Sequence, residues 1–352
     1  MADQGPRAGH RVGHPRVPPR AAARGAGGLM EFALSEEQQE LAATVRGLLA
    51  KRADPRAASF DEALWQTLCE QIGVAALGIP EEYGGAGFTL FEALVALEEV
   101  GRSLAPSPLL GSLLASEALL AGADEDAKQR LLPRLAAGEV GALADGADAA
   151  DVLDGDHAAV LVVATDDGLF EVAPETADRS WTPSMDQTIR LATVRSDLSA
   201  ATRVGAGPAA RDRARLVGAV GCATLAVGGA ARALEMTVAY SKERVQFGRP
   251  IGSFQALKHR MADMHVRLEM ARSASWAASY AVAAGTDDAE QLAHVAKAYC
   301  SEAFANIAGE TVQLHGGIAI TWEHDAHLVL KRAHALGQLY GPPHAHRAAV
   351  AL

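Results

Sequence analysis

The sequence predicts a mainly α-helical protein with a small β insert: an N-terminal helical domain, a short middle β domain and a C-terminal four-helix bundle. Changes in hydrophobic period mark the divisions. The period is helical from Ser35 to about Leu135, gives way to short strand-like runs between Gly141 and Gly207, and returns to helical near 212–245, 254–284, 287–315 and 323–340. This sets domains at 30–140, 141–207 and 208–352, with residues 1–29 apart. With 352 residues, 49% hydrophobic and 21% charged, the chain can bury more than one core.

The first residues carry Arg7, Arg11, Arg16, Arg20 and Arg24 against the lone acid Asp3, among Gly and Pro. That composition is disordered. It lacks the apolar run of a signal peptide, and its Gly and Pro break the amphipathic helix of a transit peptide. Residues 1–29 therefore read as a disordered tail or a mis-called extension, with Met30 as the expected start. Ser35 and Gln38 form a capping box before Leu41, Val45, Leu48 and Leu49 at helical spacing. After the Pro/Gly-punctuated loop Ile79–Gly87, Thr89 and Glu92 form a second box opening a helix through Leu94, Leu97 and Val100. Helical text then runs from Leu109 to about Leu135.

In the middle block, Ala158–Ala164 and Leu169–Val172 flank an Asp-Gly turn and predict a hairpin. Another strand is expected near Ile189–Val194. Four to six short strands are too few for an independent barrel, at about five to six residues each. Trp181 is expected in a surface loop. In the last block, Leu257, Met261, Met264, Leu268 and Ala271 define one apolar stripe, and Leu292, Val295, Tyr299, Ala303 and Ile307 another, as a bundle requires. Gly218, Gly221, Gly228 and Gly229 would let the first long helix approach its neighbours closely, because mid-helix glycine costs about 1 kcal/mol and needs a packing reason.

A net charge of −11 argues against nucleic acid, whose binding is driven by Lys and Arg neutralising phosphates. Cys69, Cys222 and Cys300 are odd in number and far apart, which fits reduced structural thiols in a cytoplasmic protein. No stretch reaches the ~18 uninterrupted apolar residues of a membrane span. No metal site is expected: His315, His324, His327 and His334 lack the Glu-x-x-His pairs of a di-iron bundle.

Two motifs carry chemistry. In Arg244-Val-Gln-Phe-Gly-Arg-Pro-Ile-Gly-Ser-Phe-Gln255, Arg244 offers a forked cation to a diphosphate, Gly248 and Gly252 allow close backbone approach, and Gln246 and Gln255 add amide donors. Phe247 and Phe254 suit either an aromatic ligand or the anchoring of the loop. In Gln313-Leu-His-Gly-Gly317, Gly316 and Gly317 end a helix where backbone groups face outward. These motifs, with a weaker match at Pro80-Glu-Glu-Tyr-Gly-Gly85, resemble the acyl-CoA dehydrogenase family over nearly everything after Met30. The resemblance implies that family's fold, an FAD cofactor held by Arg244, Gln246, Phe247, Gln255, Gln313, Gly316 and Gly317 across a subunit interface, an acyl-CoA substrate desaturated at its α and β carbons, and electron transfer to an electron-transfer flavoprotein.

The family's catalytic glutamate is missing from both positions known to carry it. One alignment places Tyr340 or Gly341 there, within Gln338-Leu-Tyr-Gly-Pro-Pro-His344, and the other places Gly218. The catalytic base is therefore unknown. His344, His346 and Trp322-Glu-His-Asp325 lie near the relevant end, but a histidine beyond a double proline is poorly placed to take an α proton; Glu323, Asp325 and His327 read instead as a first helical turn. Gly141-Ala-Leu-Ala-Asp-Gly-Ala-Asp-Ala-Ala-Asp151 stands where the family cradles the flavin ring, and small acidic residues do not reproduce that cradle. The chain thus resembles the reduced β-type subunit of α2β2 acyl-CoA dehydrogenases, partnered by a second, complete-looking subunit. A homo-oligomer and a non-catalytic structural or regulatory subunit are the alternatives, with a flavin monooxygenase on the same fold a distant third. Bulky acyl-CoAs such as sterol side chains are the favoured substrates over plain fatty acyl-CoAs.

Overall fold

The structure is a computed structural model and describes residues 33–57 and 60–350; the tail read over residues 1–29 and the start at Met30 lie outside them. Helix α1 (Glu36–Arg52) begins at its capping box, where Ser35 Oγ accepts from the Gln38 amide and Gln38 Oε1 from the Ser35 amide. The sequence reading does not anticipate α2 (Glu62–Ile72), although Asp61 caps it through the Leu64 N–H and Gly73 ends it in the left-handed conformation. Helix α3 (Leu90–Ser103) starts at the Thr89/Glu92 box. The helical stretch expected up to Leu135 is broken into α4 (Leu109–Gly122) and α5 (Glu125–Ala136), because Asp124 caps a new helix through the Ala127 N–H.

Seven strands follow, rather than four to six: β1 (Gly141–Asp145), β2 (Asp148–Leu153), β3 (Val160–Ala164), β4 (Leu169–Val172), β5 (Asp178–Thr182), β6 (Leu191–Arg195) and β7 (Thr202–Gly205). They form one sheet of order β1-β3-β4-β7 and another of order β2-β6-β5. The expected hairpin is β3–β4, with Ala164 opposite Leu169, while β1 pairs with β3 in parallel. Alternate residues of both sheets, including Ala142, Ala144, Leu161, Val163, Ala192 and Val194, share one apolar core. Trp181 lies on β5, not in a loop; it is half-exposed, with Arg190 above its ring at 5.6 Å.

The last block contains α6 (Gly207–Glu243), a hairpin of β8 (Val245–Gln246) and β9 (Arg249–Pro250), then α7 (Gln255–Ala284), α8 (Ala289–His315), α9 (Ala326–Gln338) and the unanticipated α10 (Pro343–Ala349). Pro343 opens α10 with a preset φ and no wasted N–H. By length and composition α6 would pass for a membrane span, but 89% of its most apolar window is buried inside the protein. It packs against α3, α4, α7, α8 and α9. At Gly228 an added Cβ would stand 2.0 Å from the Glu98 carbonyl oxygen, so α3 and α6 touch backbone to backbone. Cys222 and Cys300 are buried and Cys69 is half-buried, all as free thiols; burial pushes Cys222 up to about 11 and Cys69 up to about 12.

One buried ion pair binds the β region to the bundle. Arg332 of α9 and Asp186, in the loop before β6, have side chains 2% and 1% exposed. The Arg332 Nε donates to Asp186 Oδ2 at 2.7 Å and Thr188 Oγ1 at 2.9 Å, and Nη2 donates to the Thr188 carbonyl at 3.1 Å. Removing one partner strands a charge in low dielectric. Asp186→Ala should therefore lower the unfolding free energy by about 3–5 kcal/mol in urea titrations, whereas the double change Asp186→Leu with Arg332→Met should recover most of the loss.

Candidate functional site

Gly218 and Tyr340, the two positions at which the sequence reading expects no carboxylate, lie in contact, and one fills the space over the other. A Cβ added at Gly218 would meet Tyr340 Cδ1 at 2.3 Å and Cε1 at 2.4 Å, so the phenol ring rests on the bare backbone of α6. Tyr340 and Gly341 both take positive φ, at 56° and 99°, which turns the chain sharply between α9 and α10. Burial, reinforced by the thiol of Cys222 and the carboxylate of Asp145, pushes the Tyr340 phenol far up. It is a neutral group at physiological pH and no proton acceptor.

Two side chains absent from the sequence reading hold this turn. Lys297 of α8 is fully buried, and its Nζ donates to the Leu336 carbonyl at 2.9 Å, the Gly337 carbonyl at 3.3 Å and Ser301 Oγ at 3.2 Å. A cation thus caps the carbonyl end of α9, although burial lowers its pKa. A lone lysine between Ala296 and Ala298 in an apolar run was the readable signal. The second is His294 of α8, acting through His346. The His346 Nε2 lies 2.7 Å from the Tyr340 carbonyl, which can only accept, so that nitrogen carries the proton. Neutral His346 then offers its Nδ1 lone pair to the Nδ1–H of His294, 2.8 Å away, and the other nitrogen of His294 faces Glu290 at 3.9 Å. His346 is buried in α10, tied to the backbone it follows, while His344 is exposed.

Two cavities of about 870 Å³ each flank the turn. One lies between the start of α6, the start of α8 and α10, lined by Asp212, Arg213, Leu216, Ala219, His294 and His346 among others. The other lies against β1 and β2, with Asp148, Asp151, Met185, His334 and Gln338 in its wall. Tyr340 and Asp145 line both. Asp145 is paired with Arg211 at 2.7 Å and Arg215 at 3.0 Å, and Asp148 with Arg195 at 3.2 Å. Among the described residues no lysine or arginine lines the cavity beside the sheet, while three carboxylates do, so a diphosphate there would gain no cationic partner from the wall.

The seven residues expected at the cofactor stand elsewhere and line neither cavity. Arg244 is the exposed C-cap of α6, with no side-chain partner among the described residues. The hairpin beyond it turns at Phe247 and Gly248, with φ 52° and 77°, and leaves Phe247 92% exposed. Its ring meets Phe254 edge-on at 6.1 Å, and Arg249 covers Phe254 at 4.0 Å. Gln246 Nε2 donates to the Val245 carbonyl, and Gln255 is exposed at the first turn of α7. Gln313, Gly316 and Gly317 are exposed at the end of α8, where Gly316 takes φ 65° and has open space at its Cβ position. His315, one residue earlier, stacks on Tyr240 of α6 at 4.4 Å, which brings the two motifs to the same end of the bundle. Of the remaining candidates, Glu323 and Asp325 precede α9 instead of forming its first turn. Asp325 pairs with Arg56 at 2.8 Å, and His327 packs edge-on against Trp322 at 4.7 Å.

Comparison with known proteins adds the following. Residues 35–139 match the family model described as acyl-CoA dehydrogenase, N-terminal domain, and residues 213–351 that described as acyl-CoA dehydrogenase, C-terminal domain. The chain is 45% identical over 320 residues to the acyl-CoA dehydrogenase IpdE2 of Mycolicibacterium smegmatis, covering 88% of this chain and 96% of that protein. It is 46% identical over 317 residues to the IpdE2 of Mycobacterium tuberculosis, covering 88% and 94%. Among solved structures, a chain of the Tcur3481-Tcur3483 steroid ACAD G363A variant superposes with TM-score 0.79 at 29% identity, covering 90% of this chain and 96% of that one. A chain of the ChsE4-ChsE5 complex from Mycobacterium tuberculosis shares the fold, with TM-score 0.81 at 24% identity over 91% and 98%.

The His346 contacts carry a pH dependence. Burial holds His346 below its ordinary 6.5, with its hydrogen bond to the Tyr340 carbonyl opposing and the Lys297 and His294 charges assisting. Above 6.5 both folded and unfolded chains leave this group neutral; below it the unfolded chain binds the proton first, so folding stability falls as pH drops. In denaturant titrations from pH 7.5 to 5, His346→Gln should show a shallower loss than the unaltered protein, by up to about 1.4 kcal/mol per pH unit for one proton.

Proposed function

Because this chain belongs to the acyl-CoA dehydrogenase family, we propose that it is the reduced, β-type subunit of an α2β2 flavoenzyme that desaturates an acyl-CoA thioester, and that its own base positions take no part in removing the α proton. The carrying observation is the filled base site: Tyr340 lies on Gly218, with no carboxylate at either place. The opposite end of the bundle supports the same reading, because Arg244 has no side-chain partner among the described residues and Phe247 is held outward in a form suited to another chain.

FAD, when bound, accepts the hydride from the β carbon. Arg244 would hold its diphosphate through forked N–H donors, Gln246, Gln255 and Gln313 would donate amide hydrogens, Gly316 and Gly317 would offer backbone N–H groups, and Phe247 would cover an aromatic face. The partner subunit supplies the base and the ring cradle, and an electron-transfer flavoprotein takes the electrons onward. A bulky, steroid-type acyl group is the favoured substrate, in keeping with the steroid ACAD variant to which the chain is 29% identical. The filled base site also suits a purely structural subunit, and flavin content separates the two.

Purified alone, the chain should carry substoichiometric FAD and oxidise no acyl-CoA; co-purified with its partner, it should yield a mixed tetramer with flavin and turnover. Arg244→Ala should weaken flavin retention in that complex about 10- to 100-fold, as expected for hydrogen bonds to a charged group; a purely structural subunit predicts no change. A lone homomer with one FAD per chain and acyl-CoA oxidation would overturn the proposal.

A further inference from the structure

We propose that Tyr340 is a built-in occupant of this chain's own acyl-thioester site, closing from within a passage that would otherwise join two cavities into one. The inference deepens the subunit reading above and rests on it for the class of ligand.

The geometry is specific. Each cavity holds about 870 Å³, and Tyr340 and Asp145 line both of them. Asp145 is paired with two arginines, so Tyr340 is the part of the partition that can be cut back without breaking an ion pair. Its ring takes the space over Gly218 that any larger residue on α6 would deny it, since even a methyl group there would lie within 2.3 Å of the ring. The Tyr340 hydroxyl makes no hydrogen bond among the described residues, so packing and the turn hold the ring in place. That turn is fixed from two sides, by Lys297 on the carbonyls of Leu336 and Gly337 and by His346 on the carbonyl of Tyr340 itself.

The space beyond Tyr340 offers alkyl carbons one apolar strip. Leu216, Ala219 and Ala293 form it between α6 and α8, and Asp212, Arg213, Arg215, Glu290 and His294 stand around it. Of these, Arg213 is spent on Glu117 at 2.6 Å and the Val282 carbonyl at 2.9 Å. A ligand that ran from the sheet-side cavity past residue 340 would be long and narrow at the waist, which describes the acyl chain of a CoA thioester. With Tyr340 in place, such a ligand cannot run from one cavity into the other.

The test counts binding sites. S-dodecyl-CoA, a thioether that cannot be desaturated at a thioester α carbon, is used as probe in equilibrium dialysis against the protein as purified, with any partner that accompanies it. Tyr340→Ala and Tyr340→Leu should each bind one further equivalent per copy of this chain, at least tenfold more tightly than any such binding to the unaltered protein. Tyr340→Phe keeps the ring and should behave as the unaltered protein does. Tyr340→Leu retains apolar cover on Gly218 and guards against loss of folding in Tyr340→Ala. The proposal is overturned if the unaltered protein already binds the further equivalent, if Tyr340→Phe gains it, or if neither shortened variant does. Flavin content in the same samples reports separately on the subunit reading, so the two can fail independently.

Discussion

Between Val217 and Ala231, α6 carries no side chain larger than leucine, and every residue of that stretch is buried. Small residues leave little apolar area of their own to bury. They allow instead close approach of neighbouring elements, which restores dense packing from the outside. At Gly228 the α3 backbone takes the place of a side chain; at Gly229 the Phe304 ring of α8 does, with an added Cβ only 2.4 Å from its Cζ. At Gly218 the filler is Tyr340. The distances at which α3, α8 and the turn after α9 stand from the centre are thus set by one helix. The same substitution of ring for side chain packs the core and leaves no room at Gly218 for a larger residue.

Much of this architecture was legible in local sequence. The capping boxes at Ser35 and Thr89 start their helices as read, because a box is made within four residues and needs no distant partner. The Asp-Gly hairpin is equally local. Helix α2 escaped notice although Asp61 and Gly73 bracket it, since an eleven-residue segment is too short for its apolar period to mark a helix by itself. What sequence could not show is contact between distant residues. Arg332 meets Asp186 across 146 positions, and nothing near either residue announces the other. Likewise, Gly218 and Tyr340 were each singled out in the sequence as expected departures from the pattern that the resemblance implies, but their contact depends on the fold.

Charge sorts the candidate site into a part already committed to ion pairs and a part left uncommitted. Asp145, Asp148 and Asp151 gather at the cavity beside the sheet, and the arginines nearest them are engaged in neutralising two of the three. A diphosphate brought there would displace those pairs before gaining any attraction. Among the described residues Arg244 has no such commitment, and Gly316 and Gly317 leave their backbone open to approach from outside. This contrast is independent of the tyrosine, so the subunit reading has two separate physical supports.

The β8–β9 hairpin carries the same division into energetics. Phe247 is 92% exposed at a positive φ, in the tip of a two-residue turn. A non-glycine residue held in that conformation costs on the order of 1–3 kcal/mol, and an exposed phenylalanine forgoes roughly 1.5–3 kcal/mol of burial. The edge contact with Phe254 recovers only part of this. Asparagine at the same position would satisfy the turn and water alike. The hairpin geometry explains why Gly248 follows, but it does not explain an aromatic ring at the tip. A surface that closes over the ring does explain it, because burial on association then offsets the turn strain. On the subunit reading that surface belongs to the partner and its flavin, so the least economical residue of the isolated chain becomes a stabilising one in the complex.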